Sequence, residues 1–400
     1  MLDLTKLAAQ MPGISEHLHQ EATASRQRLK RADRLLQQAR ERQAQLVQAQ
    51  QQWRERLAFA PAEPLEPLDA RATVAAPPRC HTVLAADGSQ ISPSQHEVLY
   101  CYLINIGRVG LHYGQNCHPL LESLPKVYYK PEDLYVSRQW GIPPDEWMGY
   151  QRAVSEIEML AEMVESAAKA IPRLALVDGP LVYWFLESLP QAARDHLLSP
   201  LLAAWRSLQA ARVPLMGYVS ASRNTEALNF LRLQACPYDA PDCASHCASG
   251  SEAAGQLADG RLPCQVAEPL RDATFWSHRL APGERGPLWR STARVLAFYD
   301  PSQWVYFCHL NVGTEIARVE MPQWVARDSD LLERALSLLL GQVQKGAGYP
   351  VSLAEAHNQA VVRSQDRAQF FALLEQQLIR AGLQNVGASY KEARKRGSVA

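Results

Sequence analysis

The sequence has no surplus of either charge: Lys and Arg number 41, Asp and Glu 41, in 400 residues. Bulk charge therefore does not announce a nucleic-acid partner, and any basic surface is local. No apolar run approaches the roughly 20 residues that span a bilayer. The opening MLDLTKLAAQMPG lacks the charged n-region and apolar core of a signal peptide. The expectation is a cytoplasmic protein with no membrane contact. Cysteine is limited to 8 residues, which in that compartment read as free thiols or metal ligands rather than disulfides. What is present is ordinary globular material, 47% hydrophobic and 20% charged, enough for one large domain or two.

Against that background one stretch stands out. Thr82–Ile91 reads TVLAADGSQI, a short β-compatible run followed by Asp87-Gly88-Ser89. Gly, Asp and Ser favour turns, so the strand is expected to end there with Asp87 at its carboxyl end, where open α/β sheets place ligands. Leu174–Leu181, LALVDGPL, repeats the design with Asp178-Gly179-Pro180. Asp-Gly by itself is a common turn. Two such aspartates, each closing an apolar run, point to a metal-dependent active site.

The remainder falls into order around this pair. From about residue 15 to 58, Leu29, Ala32, Leu36, Ala39, Gln43, Leu46, Gln50, Trp53 and Leu57 alternate in steps of three and four. That spacing predicts a long helix with a coiled-coil seam, weakened by its glutamines and alanines. Residues 59–79 are Pro- and Ala-rich without periodicity and read as a linker, so residues 1–75 form a helical arm and 76–400 the globular domain. Within the latter, His96–Ile106 is strand-like, with Arg108–Tyr113 expected to pair back on it through Gly110. Residues 119–148 read as loop with short helices, and Tyr150–Ala170 as a helix delivering the Asp178 strand. Further strands are expected at Val213–Val219, Arg294–Tyr299, Trp304–Leu310 and Glu315–Val319. The closing helices are expected at 328–344 and Ala354–Ala381, before a basic tail at 391–396.

A metal held by Asp87 and Asp178 needs further donors. Hard divalent ions take oxygen ligands, and Mn²⁺ also accepts imidazole. In the helix before Asp178, Glu158, Glu162 and Glu165 share one face and read as a solvated stripe. Glu156 lies outside that row, beside the apolar face and four residues after Arg152, so it pairs with that arginine or with a metal. GYPVSLAEAH places Tyr349 before a proline and His357 on a helix. With Leu353 and Val361 at i−4 and i+4, His357 is expected towards the buried side.

The ordered set AADGSQI, RAVSEIE, LALVDGP, GYVSASR, RVEMP and GYPVSLAEAH resembles the NurA nucleases, prokaryotic enzymes that process DNA ends, over about residues 80 to 380. The resemblance implies a ribonuclease H-like α/β fold, a mixed sheet flanked by helices, here with a long N-terminal helix. It also implies a manganese-dependent (or magnesium-dependent) single-strand DNA endonuclease and 5′-to-3′ exonuclease. A homodimer, often partnered with a hexameric HerA-type ATPase, follows from it too. Carried over by position, Asp87 and Asp178 match the metal-binding aspartates and Glu156 the helix glutamate, with Glu158 as the alternative. His357 matches the C-terminal active-site histidine, Tyr349 an aromatic residue beside it, and Arg223 a basic phosphate contact. Where the family commonly has a lysine near that arginine, this chain has Ser220 and Ser222. Two other readings stand beside the nuclease: a catalytically silent scaffold of the same fold, and a phosphohydrolase of small nucleotides.

One segment departs from the family pattern. Residues 232–268 are rich in Cys, Ala, Ser, Asp and Gly, with Cys236, Cys243, Cys247 and Cys264 spaced C-x6-C-x3-C-x16-C. An insertion with so little apolar content lacks a core of its own. A structural zinc or an iron–sulfur cluster would give it order, and unconnected free thiols are the alternative.

Overall fold

The computed structural model describes the chain apart from residues 1–2, 9, 94–98, 167–169, 248–261 and 383–400. Its main elements begin with helices α1 (Met11–Glu41) and α2 (Gln43–Trp53). Next come strands β1 (His81–Ile91), β2 (Tyr102–Tyr113) and β3 (Leu120–Tyr128), helix α3 (Pro144–Ser166) and strand β4 (Arg173–Asp178). Helix α4 (Gln191–Ala210), strand β5 (Leu215–Val219) and helix α5 (Glu226–Gln234) follow. Strands β6 (Val305–Asn311) and β7 (Ile316–Pro322) and helices α6 (Ser329–Lys345), α7 (Val351–Ala360) and α8 (Ser364–Arg380) close the chain. They fall into two compact units: residues 75–218, 297–303 and 321–400, and residues 1–74, 219–296 and 304–320.

In the first unit the strands lie in the order β3-β2-β1-β4-β5. β1, β2 and β3 pair antiparallel, whereas β4 and β5 run parallel to β1. This is the expected ribonuclease H-like mixed sheet. The helical crossover through α3 lets β4 return parallel to β1. Val83–Ala86 and Leu174–Leu176 are buried without alternation, as strands covered on both faces require. Helix α3 opens with Pro144, Asp145 and Glu146 in its first turn, a proline and two acids where the helix end favours them. It buries Val154, Ile157, Leu160 and Val164.

Several expectations fail here for physical reasons. Asp87-Gly88-Ser89 does not end a strand: β1 continues to Ile91, paired residue by residue with β2. Arg108–Tyr113 does not pair back but prolongs β2, because Gly110 is already held between Leu84 and Leu120. Residues 120–128 are an edge strand with no clean apolar alternation: Leu121 is exposed, whereas Glu122 is half-buried and accepts from Arg108. Arg294–Phe298 is a 3₁₀ turn rather than a strand. The helix expected over Ala354–Ala381 breaks at Val361–Arg363, where Ser89 Oγ and Asn105 Nδ2 both donate to the Ala360 carbonyl. The first residues of the His96–Ile106 strand and the basic tail lie outside the described residues.

In the second unit the apolar residues of the expected seam are buried in a globular core. Ala32, Leu36, Ala39 and Leu46 are buried in one core with Phe230, Trp276, Trp289 and Phe307. The two seam glutamines bind the Pro-rich stretch that follows: Gln43 Nε2 donates to the Glu66 carbonyl at 2.9 Å and Gln50 Nε2 to the Pro61 carbonyl at 2.6 Å. That stretch is correspondingly ordered, with Glu63–Pro64 paired to Trp289–Arg290. On β7, Arg318 is wholly buried, its charge met by Glu320 at 2.7 Å and Glu226 at 3.2 Å, as a buried guanidinium requires.

Candidate active site

Strand register brings the two aspartates side by side. β1 and β4 are parallel with Ala86 opposite Val177; one step further along each strand are Asp87 and Asp178. Alternation of side chains puts both on one face. On that face Asp87 is also paired with Gly107 of β2, and Asp178 with Tyr218 of β5.

Gly107 explains why a helix reaches this place. A β-carbon there would stand 2.3 Å from the Ala356 carbonyl oxygen and 2.4 Å from the Ala360 nitrogen. Only a bare backbone lets α7 lie directly on the strand. Ser89 and Asn105, two pairs further along, hold the end of α7 by the Ala360 carbonyl, and Ser123 Oγ in turn donates to Asn105 Oδ1 at 2.9 Å. So fixed, α7 carries His357 to Asp87, Nδ1 to Oδ2 at 2.8 Å. With the carboxylate as acceptor, Nδ1 carries the proton of that bond. The imidazole is 64% exposed, not turned to the buried side as its Leu353 and Val361 neighbours imply. Tyr349, in the turn before α7, hydrogen-bonds to the Asp178 carboxyl and sets its ring edge-on to Tyr218, 5.6 Å between centroids.

Glu156 arrives from the opposite face. Gly88, whose position alternates away from Asp87, is the point of passage: a β-carbon on it would lie 2.7 Å from Glu156 Oε1 and 2.6 Å from Arg152 Cγ. The glycine of the first Asp-Gly thus serves a close approach by α3, not a turn. The second Asp-Gly is a turn indeed, since Gly179 sits at φ +114, where an L side chain is strained.

The electrostatics follow from this crowding. Glu156, 15% exposed, is pushed up to about 8 by burial. Arg152, 3.4 Å away, opposes the shift, and Asp87 and Asp178 add to it. Asp178 is also raised, first by desolvation on its inner side although its tip meets solvent, and then by Asp87; the Tyr349 hydroxyl and His357 act against this. Three carboxyls are therefore gathered where Asp87 resists the ionisation of both Glu156 and Asp178. A cation between them relieves that repulsion, and an oxygen set with one imidazole suits Mn²⁺ or Mg²⁺. Among the described residues, no group of three or more His, Cys, Asp and Glu side chains stands as it is in a disposition that could hold a metal ion.

Of the other residues predicted from sequence, Glu158 is exposed on α3 beside Glu162 and Lys126. Arg223 belongs to the second unit, where it lines a surface pocket with Arg232, Glu268 and Arg271. Ser220 there donates to Glu315 at 2.8 Å. Cys236, Cys243, Cys247 and Cys264 line one small cavity of that same unit. Gly107, Asn105, Ser89 and Ser123 were not foreseen. Their signal, a glycine in an apolar strand with small polar residues brought beside it from neighbouring strands, becomes readable only once the pairing is known.

Comparison with known proteins bears on the family and the fold. The NurA domain family model matches residues 81–362, a span that contains every residue of the carboxylate site. The chain belongs to the NurA family. Among solved structures it resembles the NurA nuclease from Sulfolobus solfataricus, at 12% identity and a TM-score of 0.52, over 95% of this chain and 98% of that one. At that identity the likeness speaks for the fold, including the mixed sheet and the long N-terminal helix. No curated protein matches the chain. Among the described residues no helix is long and apolar enough to cross a membrane.

Proposed function

We propose that this NurA-family chain is a metal-dependent DNA nuclease, cutting single strands internally and digesting ends from 5′ to 3′, with Mn²⁺ or Mg²⁺ at Asp87, Glu156 and Asp178. The observation that carries the reading is the convergence, beside the carboxyl end of β4, of three carboxyls from β1, α3 and β4 with the imidazole of α7 on Asp87. An ion held there would supply an activated water and charge stabilisation for phosphodiester cleavage.

The chain's own groups have definite parts in this. Glu156 keeps its proton near neutral pH while the site holds no ion, and gives it up to the carboxylate form that an ion needs. Arg152 favours that form. Asp87 orients His357 through Nδ1, leaving Nε2 to protonate the leaving oxygen or to join the ligand set. Tyr349 steadies Asp178 in its ionised form. Arg223 is proposed as a phosphate contact, and homodimerisation and a HerA-type translocase as the setting in which DNA ends are delivered.

The test is cleavage of 5′-labelled and 3′-labelled single-stranded DNA with Mn²⁺, Mg²⁺ or chelator, for the wild type and Asp87→Asn. Metal-dependent cutting that disappears in the variant while DNA binding persists is the expected result. DNA binding without cutting under any ion would favour the silent scaffold. Turnover of mononucleotides that DNA fails to inhibit would favour a small-nucleotide hydrolase.

A further inference from the structure

The cysteine-bearing region of the second unit has no part in the chemistry above. Three stretches of chain meet there. Cys236 follows the last turn of α5, Cys243 and Cys247 flank the short helix Cys243–His246, and Cys264 sits in the 3₁₀ turn Pro263–Gln265. The Cys247 amide donates to the Cys243 carbonyl at 3.0 Å, so these two thiols, four residues apart, share one face of a single turn. All four thiols are free and line one cavity of about 20 Å³, whose other walls include Phe59, Pro241 and Leu262. That is room for one water-sized particle.

The surroundings are built to hold this convergence. Asp242 caps the short helix, accepting from the Ser245 amide at 3.0 Å and its hydroxyl at 2.9 Å, and Arg56 clamps Asp242 at 2.7 Å. Arg232, with its guanidinium 3.9 Å over the Phe59 ring and 2.7 Å from Glu268, donates to Cys264 Sγ at 3.6 Å. An arginine held against a cysteine sulfur is the partner a thiolate wants, not a thiol. His246 is otherwise engaged, stacked on Tyr238 at 4.1 Å. The thiols are near neighbours electrostatically as well. Cys247 is pushed up to about 11 by burial and then by Cys243, Cys264 and Cys236, and Cys243 also hydrogen-bonds to it.

We propose that Cys236, Cys243, Cys247 and Cys264 bind one zinc ion as a closed tetrathiolate site that orders this insertion. A tetrahedral ion with bonds of about 2.3 Å needs sulfurs about 3.8 Å apart, close to the separation of hydrogen-bonded thiols. Rotation about each Cα–Cβ bond supplies the remaining adjustment. Four thiolates around Zn²⁺ leave a doubly negative centre, which the Arg232 guanidinium partly offsets. The thiols converge on room for one small ion, which favours zinc over an iron–sulfur cluster. With no open coordination position the ion is structural, and the chemistry at Asp87 does not depend on it.

The experiment is metal analysis of the purified full-length chain in an Asp87→Asn, Glu156→Gln background, which removes the carboxylate site from the count. About one zinc per chain, retained against mild chelator and released when the thiols are alkylated or mercurated, is expected. Cys236→Ser and Cys264→Ser should each lower it at least tenfold, whereas Cys117→Ser, outside the cluster, should leave it unchanged. Because a serine variant could fail to fold, the parent chain is also stripped and refilled with Co²⁺. Thiolate-to-cobalt charge-transfer absorption with tetrahedral d–d bands is expected. Iron with acid-labile sulfide, cobalt spectra without sulfur bands, or a metal-free chain whose four thiols all react under native conditions would each overturn the proposal.

Discussion

Tyr349 and Arg152 work on the same quantity from opposite faces of the sheet: the ease with which the carboxyl cluster gives up protons. Tyr349→Phe removes the hydroxyl that favours ionised Asp178. At neutral pH Mn²⁺ affinity should fall about two- to tenfold, the effect of one hydrogen bond worth roughly 0.5–1.5 kcal/mol, and recover as the pH rises. Titration calorimetry at two pH values checks it; an equal loss at both would assign Tyr349 to packing against Tyr218 instead. Arg152→Gln removes the strongest influence holding Glu156 down. The pH at which Mn²⁺ binds half-maximally should move upward, and the number of protons released on binding at about pH 8, where wild-type Glu156 is already part-ionised, should rise. Unchanged proton release would mean that Glu156 is not a ligand. Both assignments descend from the sequence in different degrees. The i, i+4 step from Arg152 to Glu156 was readable there, and so was Glu156 lying outside the acidic stripe. That Tyr349 touches Asp178 was not, because the contact depends on where α7 docks.

At the level of elements, α7 and its glycine seat decide whether the site exists. Gly107→Ala forces a methyl into the α7 backbone, 2.3 Å from the Ala356 oxygen. It should destabilise the chain by roughly 1–3 kcal/mol as an overpacked contact does, and cleavage should fall further than stability because His357 moves off Asp87. Gly149→Ala is the matched control: it lies within α3 and its β-carbon would meet nothing within 4 Å. It should instead stabilise by up to about 1 kcal/mol. Urea denaturation of both variants, read beside DNA cleavage, separates the two; a Gly107→Ala chain as stable and active as wild type would remove α7 from the site. The same element marks how far the sequence could be read. Apolar runs foretold β1, β4 and β6, and periodicity foretold α3 and α6. The edge strand β3 escaped because an exposed leucine and a half-buried glutamate, Leu121 and Glu122, blur its alternation. The break after Ala360 escaped because side chains of β1 and β2, distant in sequence, cap that helix. His357 was found through the motif around it, while its exposure contradicted the apolar spacing on which burial had been inferred.

Over the whole molecule the cluster leaves its mark on stability. Glu156 and Asp178 bind protons more tightly folded than unfolded. Their contribution is therefore full below the ordinary carboxylate value and lost as pH rises, for Glu156 from the model-peptide 4.5 through about 8. In chelator, the melting temperature of wild type relative to Glu156→Gln should decline across that window, and Mn²⁺ should cancel or reverse the decline. A difference curve that climbs instead would contradict the raised value. Chain order adds a separate consequence. Asp87, Glu156 and Asp178 leave the ribosome before residue 180, whereas the helix that carries the imidazole is made only after residue 350. Domains assemble from the amino end as they are synthesised. A growing polypeptide thus exposes its acids long before it owns the group that orients Asp87, and a transcript truncated ahead of Val351 encodes a sheet with no histidine to set against them. On the nuclease reading proposed above, competence to cut is in this way deferred until α7 has been made.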